Sequence, residues 1–441
     1  MADVKIVLVG GGSYSWGPSV IGNILKNEYL DGCQVVLHDL DEGALEMNFQ
    51  LAGMLREQVG AETAFERTTD QAEALEGADF VVVTISTGGL GAMRVDLELP
   101  EKYGILQTVG DTVGPGGANR TLRNVPVFLE MALEMEERCP GAWMLNCSNP
   151  LSALTQVVNQ ETSIRALGLC HGVRGVVREF ARFFGVELED CAYVNTGIDH
   201  CAWLTELMIG GRDVGEMLLE KGVDEWLALP PEEAREDEVF GTLYRGRCGL
   251  MLWRQLGALP AIGDRHMVEF FSGFLQGTEN VERYGLVRTS IADREEGRGK
   301  ARQRVEGWLR GAGELEVGEG SDDVAGWIAA LAGGPSVEDN LNAPNVGQVP
   351  QLPEGAIVET RGVLDAAGFH PLAAPMPAEI EAVVRPHVLR QELLVDAALE
   401  GDFDRAVAAL ASDPLMGRAD LARPLLEEMI QKTREWLPQF G

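Results

Sequence analysis

Val4-Lys5-Ile6-Val7-Leu8-Val9-Gly10-Gly11-Gly12-Ser13 decides the fold. A short, largely β-branched run of this kind is a strand buried on both faces. Three glycines end it, and Gly17–Asn27 can continue as a helix. Glycines let the backbone turn tightly and approach a pyrophosphate, whose charge sits on the helix N-terminus. The spacing is Gly10-x-Gly12, with Ser15 where a third glycine usually lies. Alone, this pattern also fits an ordinary strand-to-helix turn. The next strand, Gln34–His38, ends at Asp39, where a carboxylate accepts hydrogen bonds from an adenosine ribose. It would repel a 2′-phosphate, so NAD is expected over NADP. Asp39 could instead cap the helix that follows.

The alternation continues outward. Asp41–Val59 has helical spacing, Phe80–Ile85 is a continuous apolar strand, Leu122–Arg138 is helical, and Trp143–Asn146 and Ala166–Leu169 are short strands. Strands alternating with helices imply a Rossmann-like doubly wound parallel sheet. Ser86-Thr87-Gly88-Gly89 follows a strand, so Thr87 and Gly88 join Gly10, Gly11, Gly12, Ser13 and Asp39 as expected cofactor contacts.

The second half reads differently. Cys201–Ile209 looks like a strand near a sheet edge, Pro230–Glu238 like an acidic loop or helix start, and Gly311–Asp323 like a surface loop. Asp339–Gly355 is rich in Asn, Pro and Gly, helices return from Ala378, and Asp420–Trp436 is a terminal helix. Residues 281–335 carry no readable motif. We expect an α/β NAD-binding domain over 1–195 and a mixed α+β domain over 196–441 for substrate and oligomer contacts, resembling the C-terminal domain of lactate and malate dehydrogenases.

Composition narrows the partners. The chain has 441 residues with 69 acidic against 36 basic side chains, a net charge of −33, and its basic residues are thirty Arg to six Lys. Such a field argues against nucleic acid or an anionic membrane as partner. No apolar run is long enough for a membrane span, and the N-terminus lacks a basic signal-peptide region. Seven scattered cysteines without a C-x-x-C suggest free thiols in a reducing cytoplasm.

Several short motifs occur in a specific order: Val9-Gly10-Gly11-Gly12-Ser13; Arg94 with Glu98-Leu99-Pro100; Thr112-Val113-Gly114-Pro115-Gly116-Gly117; Asn146-Cys147-Ser148-Asn149-Pro150; Cys170-His171-Gly172-Val173; Gly197-Ile198-Asp199-His200; and Pro344-Asn345 followed by Val358-Glu359. Together they resemble glycoside hydrolase family 4, the NAD- and metal-dependent glycosidases, which depart from two-carboxylate hydrolysis. A thiolate and an imidazole can hold a divalent transition metal. Zinc or a redox switch would also suit a Cys/His pair, and either residue alone would read as a buried core residue. The resemblance implies Mn²⁺ on Cys170 and His200, with Asn149 on sugar hydroxyls. It also implies a route through oxidation at C3, proton loss at C2, elimination, water addition and return of the hydride to the sugar.

The proton-transfer groups follow less directly. His171 stands where phosphosugar members carry an acidic aspartate. An imidazole can do acid–base work near neutral pH. Asp264, in Gly263-Asp264-Arg265-His266, is the expected base, with Tyr244 second. Cys170-His171-Gly172 resembles the α-glucuronidase and α-galacturonidase type, which implies an unphosphorylated α-glycoside. A C6 carboxylate suits a guanidinium. Arg94 and Arg265 are expected substrate contacts, and Arg120, Arg123 and Arg174 are further candidates. The family also implies a homodimer or homotetramer. Two other readings compete: an NAD-dependent 2-hydroxyacid dehydrogenase using Asp199-His200, and a non-catalytic NAD sensor.

Overall fold

The computed structural model describes residues 4–312, 315 and 324–441. Six parallel strands form its centre: β1 (Lys5–Val9), β2 (Gln34–His38), β3 (Ala64–Thr68), β4 (Phe80–Val83), β5 (Trp143–Asn146) and β6 (Arg165–Gly168). Their spatial order is β3-β2-β1-β4-β5-β6, so the chain reverses direction across the sheet between β1 and β4. Ligands of doubly wound sheets bind at such a switch, beyond the carboxyl ends of the strands. Alternation explains the unbroken apolar runs. Ile6 and Leu8 enter the core on one face, Val7 and Val9 the core on the other, and helices cover both.

A second sheet holds β7 (Cys191–Ile198), β8 (Cys201–Ile209), β9 (Arg212–Asp213) and β10 (Leu259–Pro260). Cys201–Ile209 is not an edge strand. It pairs with β7 along one side and with β10 and β9 along the other.

The division near residue 195 is crossed by the main sheet. β11 (Val337–Pro344), β12 (Ile357–Asp365) and β13 (Gly368–Pro371) add to it antiparallel beyond β6, joined through Asn342 and Gly168. The helix expected over Leu122–Arg138 begins earlier and runs Gly114–Arg138. Gly114-Pro115-Gly116-Gly117 is therefore its first turn and not a loop. A Cβ at Gly117 would fall 2.3 Å from the carbonyl carbon of Thr112, so the turn packs directly on the preceding segment. Pro230–Glu238 contains a short helix, Pro231–Glu236, and the terminal helix is Ala422–Thr433 flanked by 3₁₀ turns. Most of the expected loop Gly311–Asp323 lies outside the described residues. Among the described residues no helix is long and apolar enough to cross a membrane.

Candidate active site

The glycine turn opens a cleft of about 790 Å³ at the switch point. Gly10 has φ +95°, and a Cβ there would lie 2.7 Å from the Thr84 carbonyl oxygen. At Gly12 a Cβ would press on the Asp39 carboxylate at 2.8 Å. Instead the Gly12 N–H donates to Asp39 Oδ2 at 2.9 Å, and the Asp41 N–H donates to Oδ1 at 3.0 Å. Asp39 is thus held at the rim by two backbone amides. Gly10, Gly12, Ser13, Asp39, Thr87 and Gly88 all line this cleft. Gly11 turns inward and packs against Leu37. The opposite wall brings Asp293, Arg294, Gly297, Arg298 and Trp436, which no sequence motif marked.

A second group forms around the turn joining β7 and β8. Only Asp199 and His200 separate these strands, and His200 sits at φ +61°, unfavourable for a residue with a Cβ. The ligand atoms of Cys170, Asp199 and His200 lie within 4.8 Å of one another, and so do those of Asp111, His200 and His266. His200 belongs to both groups. Its Nδ1 is 2.7 Å from Thr112 Oγ, which donates to Asp111 Oδ1 at 2.8 Å. The His266 ring lies over it, with centroids 3.8 Å apart.

Burial governs the charges here. It pushes the Cys170 thiol well above its ordinary value and Asp199 up to about 7. It also lowers His266 to about 4, helped by the charge of His200. For Asp111 burial would raise the value, but His266, His200 and Arg120 hold it near 2. Both oxygens of Asp199 and Nδ1 of His266 are buried without a hydrogen-bond partner among the described residues. A divalent ion would supply the missing partner and favour thiolate and carboxylate forms together. The two groups, sharing His200, offer sulfur, imidazole and carboxylate donors of the kind that hold a divalent first-row transition metal, the carboxylates being those that suit Mn²⁺.

The other expected residues divide. His171 is exposed beside Cys170, and its charge reaches both Asp199 and His200. The Asn149 carbonyl accepts from Arg120 Nε at 3.0 Å, and its amide points to Asp111 at 3.5 Å. Arg265 contacts the Thr289 hydroxyl and also lies within the field of Asp111. Asp264, the expected base, stands outside both ligand groups. Its two oxygens accept the Cys248 and Gly249 amides, each at 2.8 Å, and so cap the helix Arg247–Leu256. Tyr244 is likewise engaged elsewhere, donating to the Gly285 carbonyl at 3.4 Å under the Arg235 guanidinium. Arg94 is a surface ion pair, 2.9 Å from both Glu98 and Glu295. Arg123 is fully buried on Asp96, and Arg174 faces Asp339 at 3.6 Å.

Two buried acids outside the ligand group give a pH signature. Burial raises Asp264 from 3.8 to about 7 and Glu269 from 4.5 to about 7. Between those values the folded chain holds protons that the unfolded chain has released. Stability therefore falls as pH rises from about 4 towards 7, by up to ~1.4 kcal/mol per pH unit for each group. Thermal melts of metal-free protein across this range are expected to show the decline, and a melting temperature that climbs with pH would refute it.

Comparison with known proteins agrees with this geometry. A sequence profile described as Family 4 glycosyl hydrolase matches residues 5–186, and one described as Family 4 glycosyl hydrolase C-terminal domain matches 195–416. An alpha-galacturonidase of Bacillus subtilis is 34% identical, over 97% of this chain and 97% of its own. The crystal structure of a putative glucosidase from Bacillus subtilis superposes with a TM-score of 0.87 at 31% identity, covering 97% of this chain and all of that one. A 6-phospho-alpha-glucosidase from gut microorganisms, solved with NAD and Mn²⁺, shares the fold at a TM-score of 0.81 and 24% identity, with 100% of both chains covered. Matched in both halves and along its whole length by such a relative, this chain belongs to glycosyl hydrolase family 4 and is a glycosidase.

Proposed function

We propose that this glycosidase cleaves α-linked galacturonides, with NAD in the cleft beside Asp39 and Mn²⁺ on Cys170 and His200. One observation carries the reading. A sulfur, an imidazole and a buried carboxylate, those of Cys170, His200 and Asp199, converge beyond β6 in a chain similar throughout to an alpha-galacturonidase. When bound, NAD supplies reversible hydride transfer at the sugar ring, and the divalent ion polarises a neighbouring oxygen.

The chain's own residues do the rest. Asp39 accepts the ribose hydroxyls, and Gly10 and Gly12 let the backbone approach the pyrophosphate. Asn149 offers its amide to sugar hydroxyls. Arg120 and Arg265 take the C6 carboxylate, because Arg94, Arg123 and Arg174 are engaged with Glu98, Asp96 and Asp339. His171 and His266 flank the ligand pair, and proton transfer at the sugar falls to them rather than to Asp264 or Tyr244. The seven cysteines form no disulfide, which fits the reducing cytoplasm, and a homodimer or homotetramer is the expected assembly.

A panel of nitrophenyl α-glycosides tests the reading. We expect galacturonide release that needs NAD⁺ and Mn²⁺ and stops with a chelator. In D₂O the released sugar is expected to carry deuterium at C2. Preference for a phosphorylated or neutral glycoside would overturn the substrate, and a sugar without deuterium would overturn the route.

A further inference from the structure

The helix Ile291–Leu309 buries little of its own length. Only Ile291, Ala301 and Val305 of its nineteen residues are buried. Ile291 joins a small cluster with Met93 and Leu97, while Ala301 and Val305 reach the main core. Between these anchors, residues 292–300 cross the mouth of the cleft as a bridge. Residues 294–304 carry five basic side chains, Arg294, Arg298, Lys300, Arg302 and Arg304, against Glu295 and Glu296, a local excess of positive charge in a chain of net charge −33.

The face turned to the cleft is Asp293, Arg294, Gly297 and Arg298, the spacing of one helical side. Arg298 lies at the ribose end, 4.0 Å from Asp41 and two residues from the rim carboxylate Asp39. Arg294 lies towards the other end, where its charge is felt by Arg120 and Arg265. Both arginines line the same cleft as the glycine turn, Arg298 beside Asp41 and Arg294 towards Arg120 and Arg265. Gly297 lies between them. An internal helical glycine is disfavoured against alanine, yet a Cβ at Gly297 would meet nothing within 4 Å. Packing requires neither Gly297 nor Gly299, but Gly297 lines the cleft, so a side chain there would enter the space a bound cofactor fills.

We infer that the helix Ile291–Leu309 is a clamp for the dinucleotide's phosphates, with Arg294 and Arg298 closing on the pyrophosphate opposite the Gly10–Ser13 turn. This rests on the reading that the cleft holds NAD. It assigns cofactor retention to the C-terminal half, which lies outside the parallel α/β unit. In a strongly acidic protein it also gives an anionic cofactor a local cationic wall. The clamp suits an enzyme that returns its hydride every cycle and has no need to exchange NAD.

Calorimetric titration of the full chain with NAD⁺, ADP-ribose and adenosine, at low and high salt, separates the possibilities. The double variant Arg294→Ala/Arg298→Ala is expected to bind NAD⁺ and ADP-ribose at least ~10-fold more weakly, with a shallower salt dependence, since charge-assisted contacts are lost. Adenosine, which has no phosphate, is expected to be unaffected. Gly297→Leu is expected to raise the melting temperature of the cofactor-free protein while weakening NAD⁺ binding, a combination that a purely structural glycine would not produce. Wild-type protein that fails to bind NAD⁺ overturns the cofactor reading and the clamp together. Wild-type binding with unchanged affinity in the double variant overturns the clamp alone. Equal weakening of adenosine and NAD⁺ also overturns it, because the arginines would then shape the cleft without reading phosphate.

Discussion

Cys170→Ser is expected to lower glycosidase turnover by at least ~100-fold, since an alcohol replaces the soft anionic ligand of a transition metal. NAD⁺ binding is expected to stay at the wild-type level, because the Gly10–Ser13 cleft does not depend on this side chain. The Cys170 thiol lies well above its ordinary pKa when no ion is present, owing first to burial. Metal binding must therefore displace its proton, and wild-type affinity for Mn²⁺ is expected to climb with pH. In the serine variant that climb flattens. Titrations of Mn²⁺ at several pH values, beside turnover, check both points. A variant with full activity and an unchanged pH slope would remove Cys170 from the metal site.

Glu269→Ala carries the largest expected effect on stability. Its Oε1 accepts the amides of Thr108 and Val109 at 2.7 Å and of Gly110 at 2.9 Å, in full burial. These amides lie just ahead of Asp111 and Thr112, which orient His200. Alanine would orphan three buried donors, each worth about 1–3 kcal/mol, and water would recover part of the loss. We expect a loss of roughly 3–6 kcal/mol in denaturant unfolding, from that same per-donor cost. Turnover should fall as well, because Asp111 is no longer held beside the imidazoles. Glu269→Gln keeps an acceptor oxygen and is expected to recover most of both. An alanine variant as stable as the parent would show that other contacts hold the segment.

The near miss at Asp264 shows where residue patterns lose force. Gly263-Asp264-Arg265-His266 does lie at the site, but on a short helix, Asp264–Met267. Residues two apart on a helix point to nearly opposite sides. His266 therefore turns to Asp111 and His200, while Asp264 turns back to the start of the preceding helix, Arg247–Leu256. Arg94 misses for a similar reason. It sits on the outer face of the helix Gly89–Lys102, four residues from Glu98, where an ion pair forms locally. Asp199 was visible only as the neighbour of His200. Its carboxylate joins the site because Cys170, at the end of β6, is brought beside the turn.

The sequence by itself determined the parallel sheet and the glycine turn with Asp39. Each of these is local: a period, or a turn composition at the end of one strand. Tertiary structure decided the rest of the site. Asp111 and His266 are brought to His200 by separate chain segments, with no spacing that announces them. Arg294 and Arg298 reach the cofactor cleft from a helix with no motif, because that helix is anchored at its ends and bridges the gap between. Three strands from beyond residue 330 complete a sheet begun at residue 5, so the two halves share one core. Contacts of this kind depend on how faces pack across hundreds of residues, and linear order carries no record of that distance.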